Sequence, residues 1–255
     1  MRVLVTVFVA AATSLWVSPR SLASQTTGIA RRVDAVRDGL VSMRFAARPG
    51  VCSDGSGSTW TRGASNDSWD WRRSCVSGPV SVVLGRADNT TVSVRVFIGD
   101  NRRGGAGDTE LGIVSAPEAA RYLVEIARGL RGRNATEAVS GAALADSVNL
   151  APELTSLVRD GNAALDTRQQ ALFWLGQTPI ATTDLTRLYA NLTPFGLREH
   201  FVFVISQRHD DPSVDKLIDI ASHDVDREIR KHAMFWLGQT NDPRAVKFLR
   251  DIVTR

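Results

Sequence analysis

The chain has 255 residues, 43% of them apolar and 23% charged, a composition that excludes disorder as a description of the whole. Its 31 basic and 27 acidic residues give +4, but Arg2 and Arg20 fall in a leader, and the remaining 29 basic residues against 27 acidic leave only +2. That is too near neutrality for a phosphate-binding footprint, so nucleic acid is excluded as a partner.

Residues 1–23 read as an export signal: Arg2, an apolar run over residues 3–17, then Ser21-Leu22-Ala23 as a small-x-small cleavage site. The run is about 15 residues long, against the roughly 20 that span a bilayer. The processed chain is therefore expected to be periplasmic or secreted, cut near Ala23, with no membrane contact in its mature form.

Residues 24–112 carry period-2 patterning and read as a β-rich domain. Over residues 40–46, Val41, Met43 and Phe45 alternate with Leu40, Ser42 and Arg44, which suits a half-buried strand. Residues 80–84 and 91–98 form the clearest pair, a hairpin with Val92, Val94, Val96 and Ile98 on one face and a connection over residues 85–89. Between the first strand and this hairpin lies a Gly/Ser/Trp-rich stretch holding Cys52 and Cys75. In an exported chain the two are expected as a disulfide, closing a loop of about 22 residues and worth about 3 kcal/mol through the unfolded state. A cysteine nucleophile would need a histidine nearby in the sequence, and all four histidines lie beyond residue 199. Trp60, Trp69 and Trp71, with Arg72 and Arg73, interleave aromatic rings with cations. Such a cluster serves a peptide-, glycan- or single-strand-binding surface and a small packed core equally well. The glycine-rich residues 100–108 lack the lysine-hydroxyl ending of a nucleotide loop and read as an interdomain linker.

Beyond the linker the period becomes 3.6. Residues 113–133 carry a bridging helix: Ser115 and Glu118 have the spacing of a capping box, Pro117 sits in the first turn, and Ala119, Tyr122, Leu123, Ile126, Ala127 and Leu130 make one apolar stripe.

Residues 134–255 repeat. Phe173-Trp174-Leu175-Gly176-Gln177 returns 62 residues later as Phe235-Trp236-Leu237-Gly238-Gln239, with a degenerate copy, Phe203-Val204-Ile205-Ser206-Gln207, between them and a weaker one over residues 137–146. A period near 31 signals stacked helical pairs. Trp174, Leu175, Ile205, Trp236 and Leu237 are the expected repeat core. Gly238 is expected to end its helix, and Asp211-Pro212 and Asp242-Pro243 to start the second helices, with Asp211 and Asp242 as caps. Those second helices present Leu185, Leu188 and Leu192, then Val214, Leu217, Ile218 and Ala221, then Val246, Leu249, Ile252 and Val253.

The pattern over residues 230–253, Arg-x-x-Ala, then Leu-Gly, then Asp-Pro-x-Ala-Val, resembles HEAT repeats of the short bacterial type, often called PBS-lyase-like. It is also similar to exported bacterial proteins with a small cysteine-containing β region ahead of such repeats. The resemblance implies an α+β chain: a small N-terminal antiparallel β domain, then a C-terminal α-solenoid of about four HEAT-like helical pairs. It implies protein binding and scaffolding, and for a minority of such repeats a link to chromophore lyases. Ser206 in place of the repeat glycine and the missing Asp-Pro over residues 178–183 depart from the pattern.

His200 and His232 share a repeat position but lack a third ligand, so no metal and no cofactor is expected. Neither a Gly-x-Ser-x-Gly elbow nor a His-Glu-x-x-His motif is present. Phe173, Phe203 and Phe235, with Gln177, Gln207 and Gln239 one turn on, form a regular ladder, read both as inter-repeat packing and as a groove for a partner. The expected function is binding of another protein or peptide by a monomeric scaffold without catalytic activity. The alternative is a lyase-like or hydrolytic enzyme whose site is dispersed at the junction of the β domain and the solenoid.

Overall fold

The structure, a computed structural model, describes residues 27–53, 59–61, 76–99 and 107–254, so the expected leader over residues 1–23 lies outside the described residues. It is mixed α/β, with one short helix and then the strands ahead of the remaining helices. The first element is α1 (Thr27–Asp34), where the sequence reading has none. Ile29 and Val33 stand one turn apart and are both fully buried, a helical spacing too short to read as a stripe.

Four strands, β1 (Gly39–Phe45), β4 (Val80–Ala87), β5 (Thr90–Ile98) and β6 (Thr109–Ile113), form one sheet in the order β5-β4-β1-β6; β2 (Val51–Ser53) and β3 (Thr59–Thr61) pair separately. Val41, Met43 and Phe45 of β1 are buried as the alternation requires. The expected purely antiparallel domain is corrected here, because β6 lies parallel to β1. Its Gly112, at φ +73, interrupts the alternation by which a strand is recognised.

The hairpin is tighter than expected. β4 runs on to Ala87, and only Asp88 (φ 49) and Asn89 (φ 62) make the turn, both left-handed as a two-residue turn between twisted strands demands. Arg86, expected in the connection, is a buried strand residue. Its guanidinium donates to the carbonyls of Val36 and Asn89, to Thr91 Oγ1 and to Asp34 Oδ1, which fastens the end of α1 to the hairpin tip. The outer edge of β5 is covered by one side chain: Asn134 donates to the Val92 carbonyl at 3.0 Å and accepts from Val94 N at 3.2 Å, as a neighbouring strand would.

Helices α2 (Ala116–Ala127) and α3 (Gly132–Ala143) follow, and α3 packs on β5. Its approach depends on Gly141, where a Cβ would come within 2.8 Å of Val96 Cγ2. The expected capping box does not form: Ser115 makes no side-chain cap. Glu118 instead accepts from Ile29 N at 3.0 Å, satisfying a donor in the first turn of α1. Nor does α2 merely bridge, for it pairs with α3 and is tied to the next helix, α4 (Ala151–Arg159), by Arg121–Glu153 at 3.1 Å.

The remaining helices are α5 (Leu165–Gly176), the one-turn α6 (Thr182–Thr186) with a 3₁₀ turn at Tyr189–Asn191, α7 (Phe195–Ser206), α8 (Asp211–His223), α9 (Arg227–Gly238) and α10 (Pro243–Val253). Helices α3, α5, α7 and α9 each pack on the next; α2 meets α4, and α8 touches both α6 and α10. Leu185, Leu188 and Leu192 are buried although most of their expected helix is absent. Without an Asp-Pro start, one helical turn and a 3₁₀ turn suffice to bring all three leucines inward. Val214, Leu217 and Ala221 are buried as expected, whereas on α10 Val246, Ile252 and Val253 stay exposed and Ala245 is the buried residue.

Candidate functional site

The same repeat position on α5, α7 and α9 carries Arg168, Arg198 and Arg230, and each turns inward to fasten a chain turn. Arg168 Nε donates to the Val158 carbonyl at 2.8 Å, and Arg230 donates to the Asp224 carbonyl. Arg198 pairs with Asp224 Oδ1 at 2.8 Å. The Asp224 side chain is only 4% exposed and also accepts from Tyr189 Oη and from Asp226 N. Asp226 caps α9 by accepting from Glu228 N, and its ionic neighbour is Arg198 at 3.8 Å. Likewise Asp210, not Asp211, caps α8, and the first turn of α8 satisfies it through Ser213 N.

The ridge of these helices carries aromatic and amide side chains together with ionisable ones. Leu175, Ile205 and Leu237 are fully buried, as a repeat core should be. Trp174 and Trp236, assigned to that core by their spacing, are only partly buried and stand on the ridge. Each meets its neighbouring phenylalanine edge to face: Phe173–Trp174 at 5.3 Å and 76°, Phe235–Trp236 at 5.2 Å and 77°. Phe203 stacks obliquely on Trp236 at 5.5 Å. Phe173 and Phe203 are half-buried, and Phe235 is 58% exposed. Gln177, Gln207 and Gln239 are exposed C-caps of α5, α7 and α9.

A cavity of about 360 Å³ opens on this ridge between α7 and α9. Glu199, His200 and Phe203 line it from α7, His232, Phe235 and Trp236 from α9, and Gln169 reaches it from α5. Gln169 is held in place, its amide donating to the Gly196 carbonyl at 2.8 Å. Glu199 Oε1 lies 3.1 Å from His232 Nδ1. Burial pushes the His200 imidazole below its ordinary pKa, against the opposing effects of the Gln169 main chain and the Glu199 charge. Its Nε2 is buried without a hydrogen-bond partner. The repeat reading gave the two histidines one position; it missed Glu199 and Gln169, whose neighbours on adjacent helices are not encoded in any local spacing.

Among the described residues no three His, Cys, Asp or Glu side chains are grouped to hold a metal ion, and no helix is long and apolar enough to cross a membrane. The N-terminal candidates divide. Cys52 stands opposite Trp60 in the β2–β3 register, and there is no free cysteine among the described residues. Cys75, Trp69, Trp71, Arg72 and Arg73 lie outside the described residues, as do the Trp60 side chain and residues 100–106 of the glycine-rich segment. At the junction of strands and helices main chain also meets main chain, with Asp146 N donating to Ala46 O and Arg48 N to Leu144 O, both at 2.9 Å. Comparison with family models, with curated proteins and with solved structures finds no match to the chain.

Proposed function

We propose that this chain is an exported, monomeric protein-binding module of the HEAT type, with α2 to α10 forming a short solenoid whose ridge on α5, α7 and α9 receives another protein. It acts in the periplasm or outside the cell as a scaffold, and a Cys52–Cys75 bond ties down its Trp-rich stretch. The observation that carries this reading is the aromatic lining itself: Phe203, Phe235 and Trp236 line one open cavity between α7 and α9, with Phe235 left to solvent and Phe173 at the same repeat position on α5. An apolar row in register, at the surface, is how a helical repeat offers a groove. Equal helix lengths in α5, α7 and α9, 12 residues each, and the packing of each on the next support the repeat assignment.

The test is capture by the immobilised full-length chain. A partner retained by the wild type and released by Phe235→Asp is expected, the exposed position making this variant the least disturbing to the fold. Equal retention by both would overturn the assignment of the ridge. Mass measurement of the exported protein should show cleavage after Ala23 and the loss of two hydrogens.

An enzyme is the second reading, and one observation favours it: Glu199 orients His232 at the cavity rim, as a carboxylate orients a general base. Among the described residues no hydroxyl or thiol side chain lines that cavity, so the nucleophile would be water or a group of the substrate. Hydrolysis of ester or amide probes that disappears in His232→Gln while folding is retained would move the assignment to this reading.

A further inference from the structure

The two copies of Phe-Trp-Leu-Gly-Gln have the same aromatic geometry but different covers. In the first, the guanidinium of Arg48 stands over the Trp174 ring, 5.3 Å from its centroid. Arg48 comes from the strand connection, with its main-chain N–H bonded to Leu144 O just beyond α3, so it spans from α3 to α5. Burial lowers its pKa, which marks a cation drawn partly out of water onto an aromatic face. In the second copy, the Phe235–Trp236 pair reproduces the Phe173–Trp174 pair to within 0.1 Å and 1°. Among the described residues no cation stands over Trp236, and the cavity opens there. The cavity adds a carboxylate, Glu199, beside the rings of His200, His232, Phe203 and Phe235 and the amide of Gln169.

Building on the ridge reading, we infer that the α7–α9 cavity binds an arginine side chain of a partner protein, its guanidinium lying over Trp236 and paired with Glu199, as Arg48 covers Trp174 within the chain. The chemistry favours arginine: a planar, weakly hydrated cation stacks on an indole and presents parallel N–H donors to a carboxylate. Phe203 and Phe235 enclose the stack.

The test uses the full chain and two blocked amino acids, N-acetyl-arginine methylamide and N-acetyl-citrulline methylamide, which share a shape but differ in charge. The readout is the indole N–H signals, with Trp236 assigned through Trp236→Phe. The arginine probe is expected to move the Trp236 signal, and the citrulline probe to leave it in place. Followed by calorimetry with the arginine probe, Trp236→Leu should weaken binding about tenfold, and Glu199→Gln about two- to fivefold, as its partly exposed carboxylate implies. Arg48→Ala should make Trp174 a second responding indole. Equal response to both probes, a site indifferent to Glu199→Gln and Trp236→Leu, or a Trp174 that ignores the probe after Arg48→Ala would each overturn the inference. A dimer that dissociates in Trp236→Leu would overturn it too, by making a second copy the occupant. A silent arginine probe alongside a captured protein released by Phe235→Asp would sink the arginine assignment and leave the ridge reading standing.

Discussion

Helix α7 lies between two helices that carry the same five residues, and it meets them differently. On the α5 side the seam is closed: Gly176 lets Val204 Cγ1 come to 2.4 Å from where a Cβ would stand. On the α9 side Phe203 and Trp236 meet at an angle, a cavity opens beside them, and the helices are joined at their N-terminal ends by Arg198, Asp224 and Arg230. The difference comes from the degenerate copy, for α7 has Val204 where its neighbours have Trp174 and Trp236, and Glu199 and His200 where α5 has Gln169 and Gln170. Identical motifs thus acquire unlike roles from the neighbour on which they pack.

The largest effect should come from the polar tie of the open seam. Asp224→Ala removes the acceptor of Arg198 and Tyr189 and leaves a guanidinium whose Nε already has no hydrogen-bond partner and whose nearest remaining carboxylate, Asp226, is 3.8 Å away. Breaking a buried pair on one side costs about 3–5 kcal/mol, a large share of the roughly 5–15 kcal/mol of a whole domain. Urea unfolding should show that loss, and a cost under about 1 kcal/mol would mean that apolar packing, not the Asp224 hub, joins α7 to α9.

Gly176 and Gly238 sharpen the contrast at equal sequence. Gly176→Ala drives a methyl into Val204, a β-branched side chain with few rotamers to yield, and should cost about 1–3 kcal/mol. A Cβ on Gly238 would find Leu249 Cδ1 at 3.9 Å, an ordinary contact, so Gly238→Ala should be neutral or stabilise by up to about 1 kcal/mol through helix propensity. Equal effects would erase the distinction between the two seams.

How far the sequence is legible follows the same line. Period-2 and period-3.6 stretches long enough to alternate, such as β1, the β4–β5 pair, α2 and α9, stand where their patterns put them. The eight residues of α1 and the five of β6 are too short to show a period, and α1 takes part of its capping from Glu118, 89 residues away from Ile29. The 62-residue repeat located α5 and α9, but it assigned Trp174 and Trp236 to the core because periodicity reports a face and not what covers it. The cavity draws on three helices, and only its two histidines shared a readable position. Arg48, whose partner Trp174 lies far along the chain, carries no local signal.

The smallest effect lies at the two Asp-Pro starts, where equal dipeptides again diverge. On α8 the cap is Asp210, whose burial is outweighed by hydrogen bonds from the Thr182 hydroxyl and from Ser213, and Asp211 faces outward to Arg244 at 2.8 Å. On α10 the dipeptide's own Asp242 is the cap, and the Arg244 guanidinium and main-chain N–H bring its pKa from the ordinary 3.8 to about 2. Because the folded value is the depressed one, this contribution is complete above pH 3.8 and is lost as the pH falls through about 2. A ¹³C titration of the Asp242 carboxyl should have its midpoint near pH 2, and Arg244→Ala should return it toward 3.8. Thr182→Val should move Asp210 upward and leave Asp242 where it is, since Arg244 reaches α8 through Asp211 and Asp215 and not through Asp210. Asp242 and Asp210 moving together would mean that α8 and α10 respond as one charged patch, and that the repeat fixes the behaviour of its caps after all.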